Sequence, residues 1–334
     1  MWHKLNRMIL AAAMVLTARI VSADVFNMGP GLTNLQMVPV GNPGNAPDTL
    51  VMNDGTTGYG PVGYAYSISK CEITAGQYAE FLNAVAGTSD PYGLYNGSMA
   101  LSSVGSIITK TGSGYMAALP NQPVNYVSWG DAARFCNWLQ TGTTENGAYT
   151  LGGHSDSTYL MTVTRNAGAT YVIPTEDEWY KAAYYDPNKG GLGVGGYWLY
   201  PTKSNTAPSN VYPSTSTNNA NYSIGRITTL SSTPWTTEVG SFANSLSAYG
   251  TLDQGGNLWE WNETALPHFS ARGMRGGSFT ENSGDLISSS RNDYGPASER
   301  SYIGFRVAYV PEPGSIILTV SGAIAGLMWW RCRR

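Results

Sequence analysis

Histidine, cysteine and charge are all scarce in this 334-residue chain, and each scarcity removes a class of function. Of the three histidines, His3 lies in an N-terminal apolar segment, which leaves His154 and His268, so a multi-histidine metal centre is excluded. The cysteines are Cys71, Cys136 and Cys332, too few for a disulfide framework. A Cys71–Cys136 bridge and two buried free thiols both fit this sparse set. Charged residues make up 12% of the chain, roughly half the share usual in soluble domains. With a formal net charge of −3 and no Lys/Arg block, the sequence lacks the clustered cations that phosphate binding needs, so nucleic acid is excluded as a partner. Long helical patterns and internal repeats are missing as well.

What is present points to a folded, turn-rich domain. The chain has 40 Gly, 18 Pro, 10 Trp and 22 Tyr, with 42% hydrophobic residues, too apolar and aromatic for intrinsic disorder. Three helix starts share one chemistry: Thr74 with Gln77, Ser128 with Asp131, and Thr175 with Glu178. Each is a capping box, in which a hydroxyl takes an orphan backbone N–H and the third residue reaches back. In the second helix Ala132, Phe135 and Leu139 form an apolar face that predicts packing on a core. Tyr171–Ile173 and Gly304–Ala308 read as short strands between turns. Pro201–Tyr222 reads as a long polar loop. No second composition regime appears, which predicts one domain over residues 24–309.

Both ends read as address labels. Lys4 and Arg7 precede an apolar run, Met8–Ala18, and Val21-Ser22-Ala23 forms a small-residue cleavage pattern, so residues 1–23 read as a secretory signal peptide. At the other end, Val310-Pro311-Glu312-Pro313 precedes seventeen uncharged residues, Gly314–Trp330, and then Arg331-Cys332-Arg333-Arg334. As a helix the run reaches roughly 25 Å, enough to cross a thin bilayer core. The terminal arginines would stay cytoplasmic and the domain outside. This tail, residues 310–334, resembles the PEP-CTERM sorting signal of Gram-negative bacteria. That resemblance implies processing by an exosortase, a transient inner-membrane anchor, and delivery to the cell surface or extracellular matrix.

Six blocks stand in order along the rest of the chain: YSISKCEITAGQYAEFLNA, QPVNYVSWGDAARFCNWL, YVIPTEDEWYKAAYYD, GTLDQGGNLWEWNE, GMRGGSF and SSRNDYGPASERSYIGFRVA. Together, over residues 36–309, they resemble the formylglycine-generating enzyme family, the sulfatase-modifying factors. The resemblance implies a loop-rich α+β fold related to C-type lectins, with few short helices and short antiparallel strands. It also implies calcium, held by Asp253, the Gly256 and Leu258 carbonyls and Glu260, hard oxygens of the kind Ca²⁺ prefers. The same two acids could instead cap turns or pair with arginine. A second calcium site would draw on Asn221 and the Tyr222 carbonyl.

The family's oxidase holds copper through two cysteines shortly after its RGGS-like motif. Here Arg275-Gly276-Gly277-Ser278 is followed by Phe279 to Leu286, which contains Glu281 and Asp285 but no cysteine. Cu(I) requires soft thiolates, so copper is not expected and no catalytic residue is assigned. Glu281 and Asp285 read either as a solvated loop or as an acid/base pair. Arg275, Arg291 and Arg306 read as architectural ties, with Glu176 and Glu178 as partners. Trp129, Trp138, Trp179, Trp259 and Trp261 read as core or as the wall of a binding groove. Trp259 and Ser278 match positions that border the family's active groove. Two functions follow: a calcium-stabilised scaffold that binds an extracellular peptide or polysaccharide, or a formylglycine-generating-type oxidase acting on a secreted protein.

Overall fold

The computed structural model of the chain describes residues 34–311 except 113, 226 and 229–233. The expected signal peptide, residues 1–23, and the tail from residue 312 onward lie outside the described residues. All three predicted capping boxes form. Thr74 opens α1 (Ala75–Val85), Ser128 opens α2 (Trp129–Thr141), and Thr175 opens a third long helix, Glu176–Tyr184. A one-turn helix, Ser157–Leu160, lies between the last two, so in chain order it is α3 and Glu176–Tyr184 is α4. At α2 the Ser128 hydroxyl accepts the Asp131 N–H at 3.1 Å, and Asp131 accepts the Ser128 N–H at 2.8 Å. Gly142, at φ 75°, follows the last turn in the left-handed region that favours glycine.

Two four-stranded sheets carry the architecture. The first joins β1 (Met37–Val40), β2 (Tyr66–Ser69), β5 (Tyr171–Val172) and β12 (Ala308–Tyr309) in the order β1-β2-β12-β5, all antiparallel. The second joins β8 (Trp259–Leu266), β9 (Ala271–Arg275), β10 (Asn292–Tyr294) and β11 (Ile303–Gly304) in the order β10-β9-β8-β11. Only the β8–β11 pair among these is parallel. Two hairpins, β3 (Ile108–Thr111) with β4 (Gly114–Ala117) and β6 (Ser223–Ile224) with β7 (Ile227–Thr228), complete the set. Short antiparallel strands and few helices are the expected fold class.

The expected strand over Gly304–Ala308 is in fact a crossing. Its first residue ends β11 in one sheet and its last begins β12 in the other, and Phe305–Val307 passes between them. The reason is Arg306: its guanidinium is fully buried between the sheets and bonded to a carboxylate there, which a regular strand would have turned into one sheet face or the other.

The main core joins α1 and α2 through aromatic rings, with Phe81 and Phe135 in edge contact at 5.3 Å and Phe135 against Phe305 at 5.3 Å. Burial of such side chains stabilises the fold by about 1.5–3 kcal/mol each. Trp129, Trp179, Trp259 and Trp261 are fully buried and Trp138 is packed at the core edge, so the tryptophans are core rather than an open groove wall. Cys71 and Cys136 are free thiols, without the bridge that the sequence left open. The expected loop Pro201–Tyr222 is irregular, but its end is not solvated: Asn219, Ala220, Asn221 and Tyr222 are buried. Among the described residues no helix is long and apolar enough to cross a membrane.

Candidate metal centre and ligand groove

The loop leading into β8 curls tightly. Asp253, Gly256 and Asn257 all have positive φ, at 59°, 85° and 58°. Only glycine fits at 256, where a Cβ would lie 2.2 Å from the Asn221 carbonyl oxygen. Asn257 fixes the curl with its side chain. Its Oδ1 accepts from Asn221 Nδ2 (2.8 Å), Thr237 N (3.0 Å) and Thr237 Oγ1 (3.1 Å), and its Nδ2 donates to Glu72 Oε2 at 3.3 Å.

Three carboxylates converge on this loop. Asp253 accepts the Gly240 N–H at 2.6 Å. The residue keeps some exposed surface but its carboxyl is enclosed, and burial together with the charge of Glu260 pushes its pKa up to about 6. Glu260 is fully buried, with Arg306 Nη2 on Oε1 at 2.6 Å, Trp179 Nε1 on Oε2 at 2.6 Å, and Arg306 Nε also on Oε2. Arg306 donates further to the carbonyls of Ser69 (3.0 Å), Lys70 (3.3 Å) and Leu252 (3.0 Å). The third acid, Glu72, went unnoticed in the sequence. It is 2% exposed, and it accepts the Leu258 N–H at 3.2 Å as well as the Asn257 amide. Burial, then the charges of Asp253 and Glu260, push its carboxyl well above the ordinary range, with Arg306 opposing.

Among the described residues no three acids, histidines or cysteines are grouped closely enough to hold a metal ion, so a cation here would need backbone carbonyls beside the acids. Glu72, Asp253 and Glu260 sit in mutual electrostatic reach with Arg306 among them. Fully ionised they leave two negative charges over, and buried charge left unbalanced is costly. The donors are all oxygen. Glu260 carries Arg306 Nη2 on Oε1 and both Arg306 Nε and Trp179 Nε1 on Oε2, which leaves a lone pair on Oε1. The expected calcium ligands are Asp253, the Gly256 and Leu258 carbonyls and Glu260. At the second expected site, Asn221 Oδ1 is buried without a protein donor, the mark of an oxygen that suits a cation, while the Tyr222 carbonyl accepts a bond from Asn210 Nδ2 at 3.3 Å.

The other arginines form separate centres. Arg275 donates to Glu176 at 2.8 Å and to the carbonyls of Ser288 (2.7 Å) and Ser290 (2.9 Å). Arg291 holds the same carboxylate at 2.6 and 2.7 Å and also pairs with Asp54. Burial works against the Glu176 charge, yet the two guanidiniums hold its pKa below the ordinary value. Glu178 partners none of the three motif arginines. It accepts Arg165 Nη2 at 2.9 Å and Tyr64 Oη at 2.6 Å, and Arg165 also donates to Glu263 at 2.9 Å. Local spacing drew Glu178 to the motif, but its side chain closes the α4 capping box, bonding the Thr175 N–H at 2.7 Å on the Arg165 side.

The expected groove residues are covered. Ser278 is 0% exposed and Trp259 is 1% exposed. Glu281 turns back on Ser278, accepting its N–H at 3.1 Å and also its hydroxyl. Asp285 lies near enough to Glu281 that burial, then that charge, raises its pKa. The open surface here belongs to Trp235, 37% exposed and packed on Phe279 with ring centroids 6.1 Å apart. Cys136 is buried in α2, and Cys71 lies beside the acid cluster, its thiol pushed up by burial and then by the charge of Asp253.

Two solved structures, CarF and a Treponema denticola variable protein, share the fold at low sequence identity. CarF is 21% identical, with 82% of this chain and 98% of that chain covered and a TM-score of 0.51. Variable protein 1 of Treponema denticola is 20% identical over 85% of this chain and 98% of its own, with a TM-score of 0.53. PvdO from Pseudomonas aeruginosa is 19% identical, with 82% and 93% covered and a TM-score of 0.49. No curated protein matches the sequence. A family profile described as the sulfatase-modifying factor enzyme 1-like domain matches residues 45–310. That match takes in all of both sheets but β1, together with the curled loop and all three arginine centres, and so the chain belongs to the sulfatase-modifying factor family.

Proposed function

We propose that this protein is an exported, calcium-stabilised binding or scaffold module that has the sulfatase-modifying factor fold without its copper oxidase chemistry. One observation carries the reading. After Ser278, where copper would need thiolates, the chain offers the Glu281 carboxylate, folded back on Ser278. Calcium would rest on Asp253, the Gly256 and Leu258 carbonyls and Glu260, with Asn221 and Tyr222 as a second site. When bound it would supply charge balance to the curled loop, and the residues of this chain do the rest. Arg306 holds Glu260, and Asn257 fixes the loop. Trp235 and the half-buried Glu281 offer a surface to an extracellular peptide or polysaccharide.

Export rests on the Lys4/Arg7 signal at the front and on the Pro-Glu-Pro tail, read as a substrate of an exosortase and a transient inner-membrane anchor before release to the surface or matrix. Intact mass of the native protein tests this. Expected is a chain beginning at Asp24 and cut near Pro311–Pro313. Residues 1–23 still attached, or a tail retained throughout, defeat the respective assignment.

The chemistry is tested with a Cys-x-Pro-x-Arg peptide, with and without copper, followed by mass detection of the aldehyde. No conversion is expected. Copper-dependent conversion that disappears when Cys71→Ser and Cys136→Ser are combined would replace the binding reading with the oxidase.

A further inference from the structure

We propose that Glu72 is a positioning residue of the calcium loop, holding the backbone that bears the cation's carbonyl ligands. The inference rests on the calcium reading above. Glu72 lies in Cys71-Glu72-Ile73, just ahead of α1 and far in sequence from the loop. Its two oxygens divide their work. Oε1 accepts the N–H of Leu258, whose carbonyl is an expected ligand, and Oε2 accepts Nδ2 of Asn257. Through Asn257 the hold extends to Asn221, because Asn221 Nδ2 donates to Asn257 Oδ1 and Asn257 N donates to the Asn221 carbonyl at 2.8 Å.

A second, independent observation points to a cation. The remaining polar atom of that same Asn221 amide, Oδ1, is buried with no protein donor, in a residue 2% exposed. One hydrogen-bonded path, Glu72–Asn257–Asn221, thus ties the first expected site to the second. Arg306 cannot take over the role, since its donors are spent on Glu260 and three carbonyls. Partners that hold metal ligands in place without touching the metal typically change affinity by about 10–100-fold when removed.

The experiment is calcium titration by calorimetry on the calcium-stripped full chain, with thermal unfolding in chelator as a measure of fold. Glu72→Gln keeps the shape and removes the charge. It is expected to weaken calcium by at least about tenfold. Glu72→Asp keeps the charge but withdraws the carboxylate from Leu258, with a smaller loss of affinity expected, and it decides the matter should Glu72→Gln fail to fold. Unchanged calcium affinity in either folded variant overturns the proposal, even where its melting temperature falls, because Glu72 would then be structural only. A wild type that binds no calcium overturns the calcium reading, and the role of Glu72 with it.

Discussion

The two best-buried arginine centres differ in charge balance. Around Glu176, two guanidiniums, Arg275 and Arg291, pair directly with Glu176 and Asp54, with Asp177 in electrostatic reach as a third acid. Around Arg306, one guanidinium meets Glu72, Asp253 and Glu260. The acids respond accordingly: the Glu176 carboxyl is held below its ordinary pKa, while those of Asp253 and Glu72 are pushed above theirs. The same residue types give a self-sufficient lock in one place and an acid excess that favours a cation in the other. The first is architecture, and the second is where solution conditions can act on the fold.

The largest expected effect breaks the balanced centre. Glu176→Gln leaves Arg275, fully buried, without a carboxylate, and should cost about 3–5 kcal/mol in urea unfolding. The loss should be the same in calcium and in chelator. A loss confined to one condition would show the two centres to be linked. Next comes pH, which should move the two centres in opposite directions. Asp253 has a raised folded pKa of about 6 against a reference of 3.8. In chelator its contribution is therefore full below the reference value and is lost as pH rises through about 6, on the order of 3 kcal/mol. Glu176 has a lowered folded pKa, so its contribution is present above the reference of 4.5 and is lost as pH falls through the folded value. Unfolding in chelator between pH 4.5 and 7 should show the combined loss from Asp253 and Glu72, and Asp253→Asn should reduce it. A wild-type curve already flat over that range removes Asp253 from the account.

Smaller effects sharpen the contrast. Gly256→Ala strains a φ of 85° and drives a methyl toward the Asn221 carbonyl, at a cost of about 1–3 kcal/mol. Its calcium affinity should fall as well, and an unaltered affinity would mean that the curl of this loop does not shape the site. Ser278→Ala removes the hydroxyl bond to Glu281 and two to Thr280, at a cost of about 1.5–3 kcal/mol. It should leave the calcium response unchanged, as measured by melting with and without chelator.

Local chemistry was legible in the sequence and distant pairing was not. The three capping boxes lie within four residues each, and all three form. The arginine ties were readable as residue types in a chain poor in charge, but their partners lie 99 residues away for Arg275 and 46 for Arg306, beyond any local pattern. Glu178 looked like a partner only because it neighbours Glu176. Glu72 gave no signal, because an acid between a strand and a capping box reads as a solvated turn until the loop at 257–258 closes on it. Gly304–Ala308 read as one strand because alternation cannot reveal that its middle residue is needed between two sheets.

The central claim is that the acid-rich centre binds calcium and the balanced one does not need it. Thermal unfolding of the wild type and of Asp253→Asn, each in chelator and in calcium, tests it directly. Asp253→Asn is the cleaner probe than Glu260→Gln, which would also strip Arg306 of its partner. The wild type should melt lower in chelator, by an amount equivalent to about 2.7 kcal/mol when the comparison is made at one hundred times Kd, and Asp253→Asn should lose most of that difference. Superimposed wild-type curves in chelator and calcium would contradict the account.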